Sequence, residues 1–186
     1  KASTHVLPSN GPLVSVIVPN YNHADYLDER ISTIVNQSYK NIEVLLMDDC
    51  STDDSRAVLE KWASKDDRIE VLFNEKNSGS PFAQWERGSV WAKGKYLWIA
   101  ESDDACALDM LALHVDALER NEKAVMAYSH SHLVDEKGSF LRDFREDYGF
   151  IFGDASRWKS DFTVEGKVEV AGSIIFSNTI PNASGV

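Results

Sequence analysis

Three carboxylates crowd the segment YLWIAESDDAC, Tyr96 to Cys106. Glu101, Asp103 and Asp104 arrive within four positions, just after the apolar run Tyr96, Leu97, Trp98, Ile99 and Ala100. Like charges this close repel, and a carboxylate beside an apolar core carries a desolvation cost. Such a cluster suits a hard divalent cation. Mg2+ or Mn2+ takes one or two protein carboxylates and leaves its other positions to water and substrate phosphates. Asp103 with Glu101 or with Asp104 fits a site of that kind. A second acidic pair, Asp48 and Asp49, closes the apolar run IEVLLM. A carboxylate accepts hydrogen bonds, so this pair suits reading an imide N–H or an amino group of a nucleotide base. Tyr21, just after the run LVSVIVP, suits stacking on that base. Acids after a strand also serve as turn residues or helix caps. Asp53 and Asp54 are assigned that plainer role, and Asp104 shares it in part.

Composition sets the outer limits. The chain has 186 residues, 43% hydrophobic and 26% charged, which suits a soluble globular unit with a real core. A net charge of −11 argues against a nucleic-acid binder, whose phosphate contacts need a basic face. An acidic chain that binds an anionic ligand needs a local offset, and a metal ion is one. Cys50 and Cys106 make no disulfide framework, so a reducing compartment is expected. No CxxC or HExxH spacing occurs, so no zinc site is expected, and no apolar run is long enough to span a bilayer. GxxxxGK[ST], a strand-following GxGxxG and GxSxG are all missing. His130 and His132 alternate along a predicted strand and so share one face, where a structural or surface role is expected.

The elements that must position the acids alternate. Predicted strands are Leu13–Pro19, Ile42–Met47, Ile69–Asn74, Tyr96–Ala100 and a fifth within AVMAYSHSHLV, with the turn DEKG and a return strand near Phe140. Between them, Leu27, Ile31, Ile34 and Val35 form one helical face, and Val58, Leu59 and Trp62 form another behind a Ser51 cap. A short helix lies within SGSPFAQWERGSVWAKG. A further helix turns Leu108, Leu111, Val115 and Leu118 inward. This alternation predicts an α/β fold with a mostly parallel sheet and helices on both faces. Ligands in such sheets sit beyond the carboxyl ends of the strands. PNYN, MDDCS and AESDDA should therefore meet at one edge. The stretch from Asp143 onward lacks a clean period and reads as a long ordered loop, with VEVAGSIIFSN either helix or strand.

The ordered set VSVIVPNYNHADYL, QSYKNIEVLLMDDCSTDDS, NSGSPFAQWERG, AKGKYLWIAESDD and YSHSHLVDEKG resembles the family 2 glycosyltransferases over Leu13 to Gly138. The resemblance implies a GT-A fold with a Rossmann-like sheet, and inverting transfer of a sugar from a nucleotide-diphosphate donor, a UDP-sugar by preference. The acceptor would be a saccharide or a lipid-linked one, in surface polysaccharide or glycan synthesis. Carried over by position, Pro19 and Tyr21 face the nucleotide, Asp49 with Asp48 beside it reads the base, and Asp103 holds Mn2+ or Mg2+. Glu101 stands as the first acid of that metal motif, and Asp104 lies toward the ribose or donor sugar. Many relatives place an arginine in an ARN segment after the third strand; here FAQWERG offers Gln84 or Arg87 for that contact. The family's general base belongs to a later acidic motif, past IPNASGV. The resemblance therefore puts the catalytic base beyond Val186, and no residue of this sequence is assigned to that task.

The implied organisation is a flexible leader over 1–12, a nucleotide-sugar-binding domain over 13–142, and the start of an acceptor-side region over 143–186, expected to be truncated. The piece alone is then expected to be inactive. It is placed in the cytoplasm or at the cytoplasmic face of a membrane, held there through regions outside this sequence. Two alternatives stand beside the transferase: a catalytically inactive sugar-nucleotide-binding module, and a nucleotidyltransferase.

Overall fold

The computed structural model describes residues 11–144, 156–174 and 186. Ten residues of the expected leader, the segment 145–155 and most of IIFSNTIPNASGV lie outside them. Four parallel strands form the main sheet: β1 (Val14–Asn20), β2 (Ile42–Asp48), β3 (Ile69–Phe73) and β4 (Tyr96–Ile99), in the order β3-β2-β1-β4. β1 is buried at all seven positions. Its β-branched run suits a central strand covered on both faces. Val14 pairs with Ile42 on one side and with Tyr96 on the other, so the ends of β1 and β2 stay level through Asn20 and Asp48.

Four helices complete the layers: α1 (Ala24–Val35), α2 (Ser55–Ala63), α3 (Pro81–Trp91) and α4 (Met110–Arg120). On one sheet face, Val14, Val16, Val18, Val44 and Leu46 pack with Leu27, Ile31 and Ile34 of α1, Leu59 of α2, and Leu111 and Val115 of α4. On the other, Ile17, Leu45 and Met47 form a smaller cluster that includes Trp91 of α3. The expected parallel sheet with helices on both faces is thus present.

The fit of α3 depends on Gly88. A Cβ there would lie 2.7 Å from Ile17 Cδ1, 2.9 Å from Ile17 Cγ2 and 3.1 Å from Met47 Sδ. Gly88→Ala should destabilise the chain by about 1–3 kcal/mol through overpacking, even though alanine is the better helix former by ~1 kcal/mol. Urea unfolding measures it. A more stable variant would mean that α3 can lift off the sheet at no cost.

Several expectations need correction. The fifth strand does not join the parallel sheet. It shrinks to β5 (His132–Val134), which pairs antiparallel with β6 (Phe140–Asp143). The DEKG turn between them is present: Asp135 Oδ1 accepts from the backbone N–H groups of Lys137 and Ser139, and Gly138 takes φ +77°. Leu108 is 51% exposed because α4 starts only at Met110, and Met110 turns inward instead. Ser51 does not cap α2, which begins at Ser55; its hydroxyl accepts from Asn22 N and Asn20 Nδ2. Asp53 does the expected structural work, accepting from Ala24 N and Ser55 N. Within VEVAGSIIFSN the described residues are helical, a turn over Gly166–Glu169 running into a π-turn over Val170–Ile174.

Candidate functional site

The chain leaves β1 toward β2 on one side. After β3 it crosses back to β4 on the other. That reversal opens a crevice at the carboxyl end of the sheet, and a cavity of about 420 Å³ lies there. The end of β1 contributes Pro19, Asn20 and Tyr21, with His23 beyond. Asp49 follows β2, Gln84 comes from α3, and Glu101 and Ser102 follow β4. Pro19, Tyr21, Asp49 and Glu101 are all candidates from sequence, and the fold brings them to one cavity. Tyr21 is 46% exposed, so its ring is available to a ligand.

The two aspartates after β2 divide their work. Asp48 turns into the protein: Oδ1 accepts from Asn20 Nδ2 at 2.9 Å and Oδ2 from Ser51 N at 3.0 Å. It ties the ends of β1 and β2 together and does not line the cavity. Asp49 organises the loop before α3. Its Oδ1 accepts from Asn74 Nδ2 at 2.6 Å, Gln84 Nε2 at 2.7 Å and Ser78 N at 2.9 Å. Among the described residues its Oδ2 accepts only from Ser78, the hydroxyl at 2.7 Å and the N–H at 3.0 Å. Burial pushes this carboxyl up, but the bonds from Ser78, Asn74 and Gln84 outweigh it and hold it below the usual aspartate range. Four donor groups, with Ser78 N shared between the two oxygens, meet the roughly four acceptor sites of the carboxylate, so a ligand N–H would take the place of the Ser78 hydroxyl at Oδ2. Arg87 donates to Asn74 Oδ1, outside the cavity lining, whereas Gln84 is buried at its wall. Of the two substitutes that FAQWERG offered, the cavity contains Gln84.

The acidic edge after β4 is electrostatically loaded. Burial raises the Glu101 carboxyl, and Asp103 and Asp104 raise it further; a bond from Trp85 and the charge of Arg30 oppose them. Asp104 is raised by burial and by Asp103, again opposed by Arg30. Asp103 is exposed and does not line the cavity. The three acids supply hard oxygen donors whose crowding a divalent cation would relieve, so they fit Mn2+ or Mg2+. Their oxygens do not converge within 4.8 Å of one another as a group of three. They suit an ion that takes one or two carboxylates and completes its shell with water and phosphate oxygens.

Val186, past which the resemblance puts the general base, packs against the main core and is partly buried. Its backbone N–H and C=O exchange two hydrogen bonds with Ala127, both 2.8 Å. The chain is thus back on the folded domain at Val186. It arrives beside the segment that leads from α4 to β5. The expected base position beyond Val186 lies outside the described residues.

Several side chains that sequence reasoning missed hold the acidic edge in place. Arg30 is fully buried on α1, and none of its three guanidinium nitrogens meets a hydrogen-bond acceptor oxygen among the described residues. Its Cζ lies 5.1 Å from the Trp98 ring centroid. Burial lowers its affinity for its proton, and the nearby carboxylates of Asp104, Glu101 and Asp103 restore it in part. Arg30 is thus a cation set beneath the acidic edge. It interrupts the apolar stripe Leu27, Ile31, Ile34, and this was the signal available. Gln37, also fully buried, donates to Ala107 O at 2.7 Å and accepts from Leu111 N at 2.9 Å, pinning the loop that carries the acids. Trp85 Nε1 donates to Glu101 Oε1 at 3.0 Å. His23 Nδ1 and Ser102 Oγ lie 2.7 Å apart and join the loops after β1 and β4. Asn22 and Cys50, in the loops after β1 and β2, both have positive φ, an uncommon conformation for residues other than glycine.

Comparison with known proteins adds to this geometry. TuaG of Bacillus subtilis (strain 168), named for teichuronic acid biosynthesis, is 34% identical over 133 residues, 72% of this chain and 52% of TuaG. The glycosyltransferase GlyG of Streptococcus pneumoniae serotype 4 is 34% identical over 128 residues, 69% of this chain and 42% of its own. This chain therefore spans about half the length of those relatives. Among solved structures, TarS 1–349 of S. aureus in complex with UDP matches with a TM-score of 0.55 and 30% identity, over 59% of this chain and 32% of that one. The mannosyltransferase PcManGT of Pyrobaculum calidifontis, in complex with GDP-Man and Mn2+, matches with a TM-score of 0.54 and 29% identity, over 58% and 32%. The family model described as "Glycosyl transferase family 2" matches residues 15–167, and the chain belongs to that family.

Proposed function

We propose that this chain is the donor-binding part of a metal-dependent, inverting glycosyltransferase that uses a UDP-sugar. The observation that carries the reading is the cavity at the strand reversal. Pro19, Tyr21, Asp49 and Glu101 line it together, and Asp103 and Asp104 follow Glu101 in the chain just outside it. A nucleoside diphosphate has a flat base with N–H donors at one end and a polyanion at the other. Tyr21 would stack on the base, and Asp49 Oδ2 would accept its N–H in place of the Ser78 hydroxyl. Asp103, with Glu101 or Asp104, would hold Mn2+ or Mg2+. When bound, such an ion neutralises charge on a leaving diphosphate. The neighbours described above were solved with UDP and with GDP-Man and Mn2+, which supports the ligand class.

The protein's own part is to orient the donor for in-line attack by an acceptor hydroxyl and to exclude alternatives. The hydroxyl needs a general base. The resemblance puts that base beyond Val186, so the chain is proposed to bind donor without transferring sugar. The acceptor is proposed to be a saccharide or lipid-linked saccharide of a surface polysaccharide. The proposed setting is the cytoplasm or the cytoplasmic face of a membrane, where the free thiols of Cys50 and Cys106 would stay reduced. Among the described residues no helix is long and apolar enough to cross a membrane.

Calorimetry with UDP, with and without Mn2+, tests the reading. Wild-type chain should bind UDP at least ~10-fold more tightly with Mn2+, the scale of about 1.4 kcal/mol. Asp103→Asn should lose that gain at an unchanged melting temperature, because the residue is exposed. An unchanged Mn2+ dependence in the variant would remove Asp103 from the metal site. A wild-type chain blind to UDP would reject the donor-binding reading.

A further inference from the structure

We propose that His130, His132 and Asp143 form a second metal site, suited to a borderline cation such as Zn2+, on the β5–β6 hairpin. None of the three lines the donor cavity. His132 and Asp143 stand directly opposite each other in the antiparallel pair. His130 precedes His132 by two residues, and the two rings lie 5.2 Å apart between centroids. His130 Nε2 is 3.0 Å from Asp143 Oδ1, and one ligand atom from each of the three residues lies within 4.8 Å of the others. Ligands 2.0–2.2 Å from a tetrahedral zinc are roughly 3.3 Å apart from each other. The closest pair is already near that spacing. The remaining contraction is within reach of side-chain rotation, since both histidines are exposed.

The donor set selects the ion class. Two imidazoles and one carboxylate favour zinc, cobalt, nickel or copper over magnesium and calcium. The acids at the β4 edge are all-oxygen and favour the opposite group. The two sites therefore differ in the cations they take. Three protein ligands leave a fourth position open, which water would fill. The linear sequence holds no CxxC or HExxH spacing, and His130 and His132, two residues apart, supply only two ligands. Here the third ligand comes from across the hairpin, where only strand pairing could place it.

The hairpin gives such an ion something to do. β5 has three residues and β6 four, and Val134, Phe140 and Leu141 are 54%, 61% and 60% exposed. An isolated two-stranded ribbon is marginal in water, and a cation bridging both strands would staple it. A metal-free ion pair between His130 and Asp143 is the competing account, and it requires no binding of metal at all.

Cobalt(II) titration of chelator-treated chain decides between them. A visible d–d absorption of tetrahedral cobalt should grow to one equivalent and be displaced by Zn2+. His130→Ala and His132→Ala should each weaken Co2+ binding at least ~10-fold, since second-shell changes alone cost about 10–100-fold. Asp103→Asn should leave the band intact, and UDP binding with Mn2+ should survive in both histidine variants, which also shows that they fold. Absence of the band in wild type would overturn the proposal. So would its persistence in the double histidine variant, or its loss in Asp103→Asn. The donor-binding reading stands or falls separately, on UDP calorimetry.

Discussion

Replacing Asp49 by alanine should lower the unfolding free energy by about 3 kcal/mol or more and weaken UDP binding at the same time. The carboxylate takes bonds from Asn74, Ser78 and Gln84, and it is only 5% exposed. Its removal leaves several donors without an acceptor, at about 1–3 kcal/mol for each one that stays buried. These donors belong to the loop and helix that form the cavity wall with Asn77, Gly79 and Ser80, so binding should fall even before any contact to the base is lost. Urea unfolding and calorimetry on one preparation separate the two effects. A variant of wild-type stability that loses only UDP affinity would make Asp49 purely a reader of the base. One that loses less than ~1 kcal/mol and binds UDP normally would refute both roles.

Arg30 should behave differently according to its replacement. Arg30→Ala removes a fully buried side chain and leaves a cavity, at about 2–5 kcal/mol. Arg30→Met keeps most of the volume and removes a charge that makes no hydrogen bond to an oxygen among the described residues. Buried charges are costly to desolvate and the volume is kept, so this variant should recover stability relative to Arg30→Ala. The recovery should come with a change at the site. Arg30 is the cation that opposes the rise of Glu101 and Asp104. Without it the acidic edge becomes more negative, so bare Mn2+ should bind more tightly at neutral pH while the carboxyls titrate at higher pH. Chemical denaturation and Mn2+ titration of both variants measure this. If Arg30→Met is as unstable as Arg30→Ala, the charge rather than the volume holds the fold. If Mn2+ affinity does not move, Arg30 and the metal ligands are electrostatically separate.

The sheet was legible in the sequence because its signals are local. The runs LVSVIVP and IEVLLM are β-branched and apolar without alternation, as strands buried on both faces must be. They became β1 and β2, side by side at the centre. Helix α1 was legible from the spacing of Leu27, Ile31 and Ile34, and the turn before β6 from Asp135 and Gly138. The rule that ligands lie beyond the strand ends then placed PNYN, MDDCS and AESDDA at one edge. The errors came where one local signal met a non-local competitor. AVMAYSHSHLV reads as a sheet strand, but only His132–Val134 of it is extended, and its partner is β6, a segment that follows it in the chain, rather than the parallel sheet. Leu108 fits the helical period, yet α4 begins two residues later and leaves it in solvent.

Residue types alone marked Asp48, Asp49, Glu101, Asp103 and Asp104 as candidates, because a carboxylate's chemistry is written in its identity. What each carboxylate faces was decided only by tertiary structure. Asp48 and Asp49 are adjacent, and successive side chains leave an extended strand on opposite sides. One is therefore turned to Asn20 and Ser51, the other to Ser78, Asn74 and Gln84 at the cavity wall. Arg30 lay hidden as an ordinary helix residue, because nothing in the sequence says that α1 lies under the acidic edge. Val186 likewise gave no sign that it would pair with Ala127, dozens of positions earlier. His130, His132 and Asp143 converge only because β5 and β6 pair in one particular register. Periodicity and side-chain chemistry act over a few residues and survive in the linear text. Burial, charge pairing and ligand convergence are set by contacts between segments far apart in the chain, and the folded chain alone defines those.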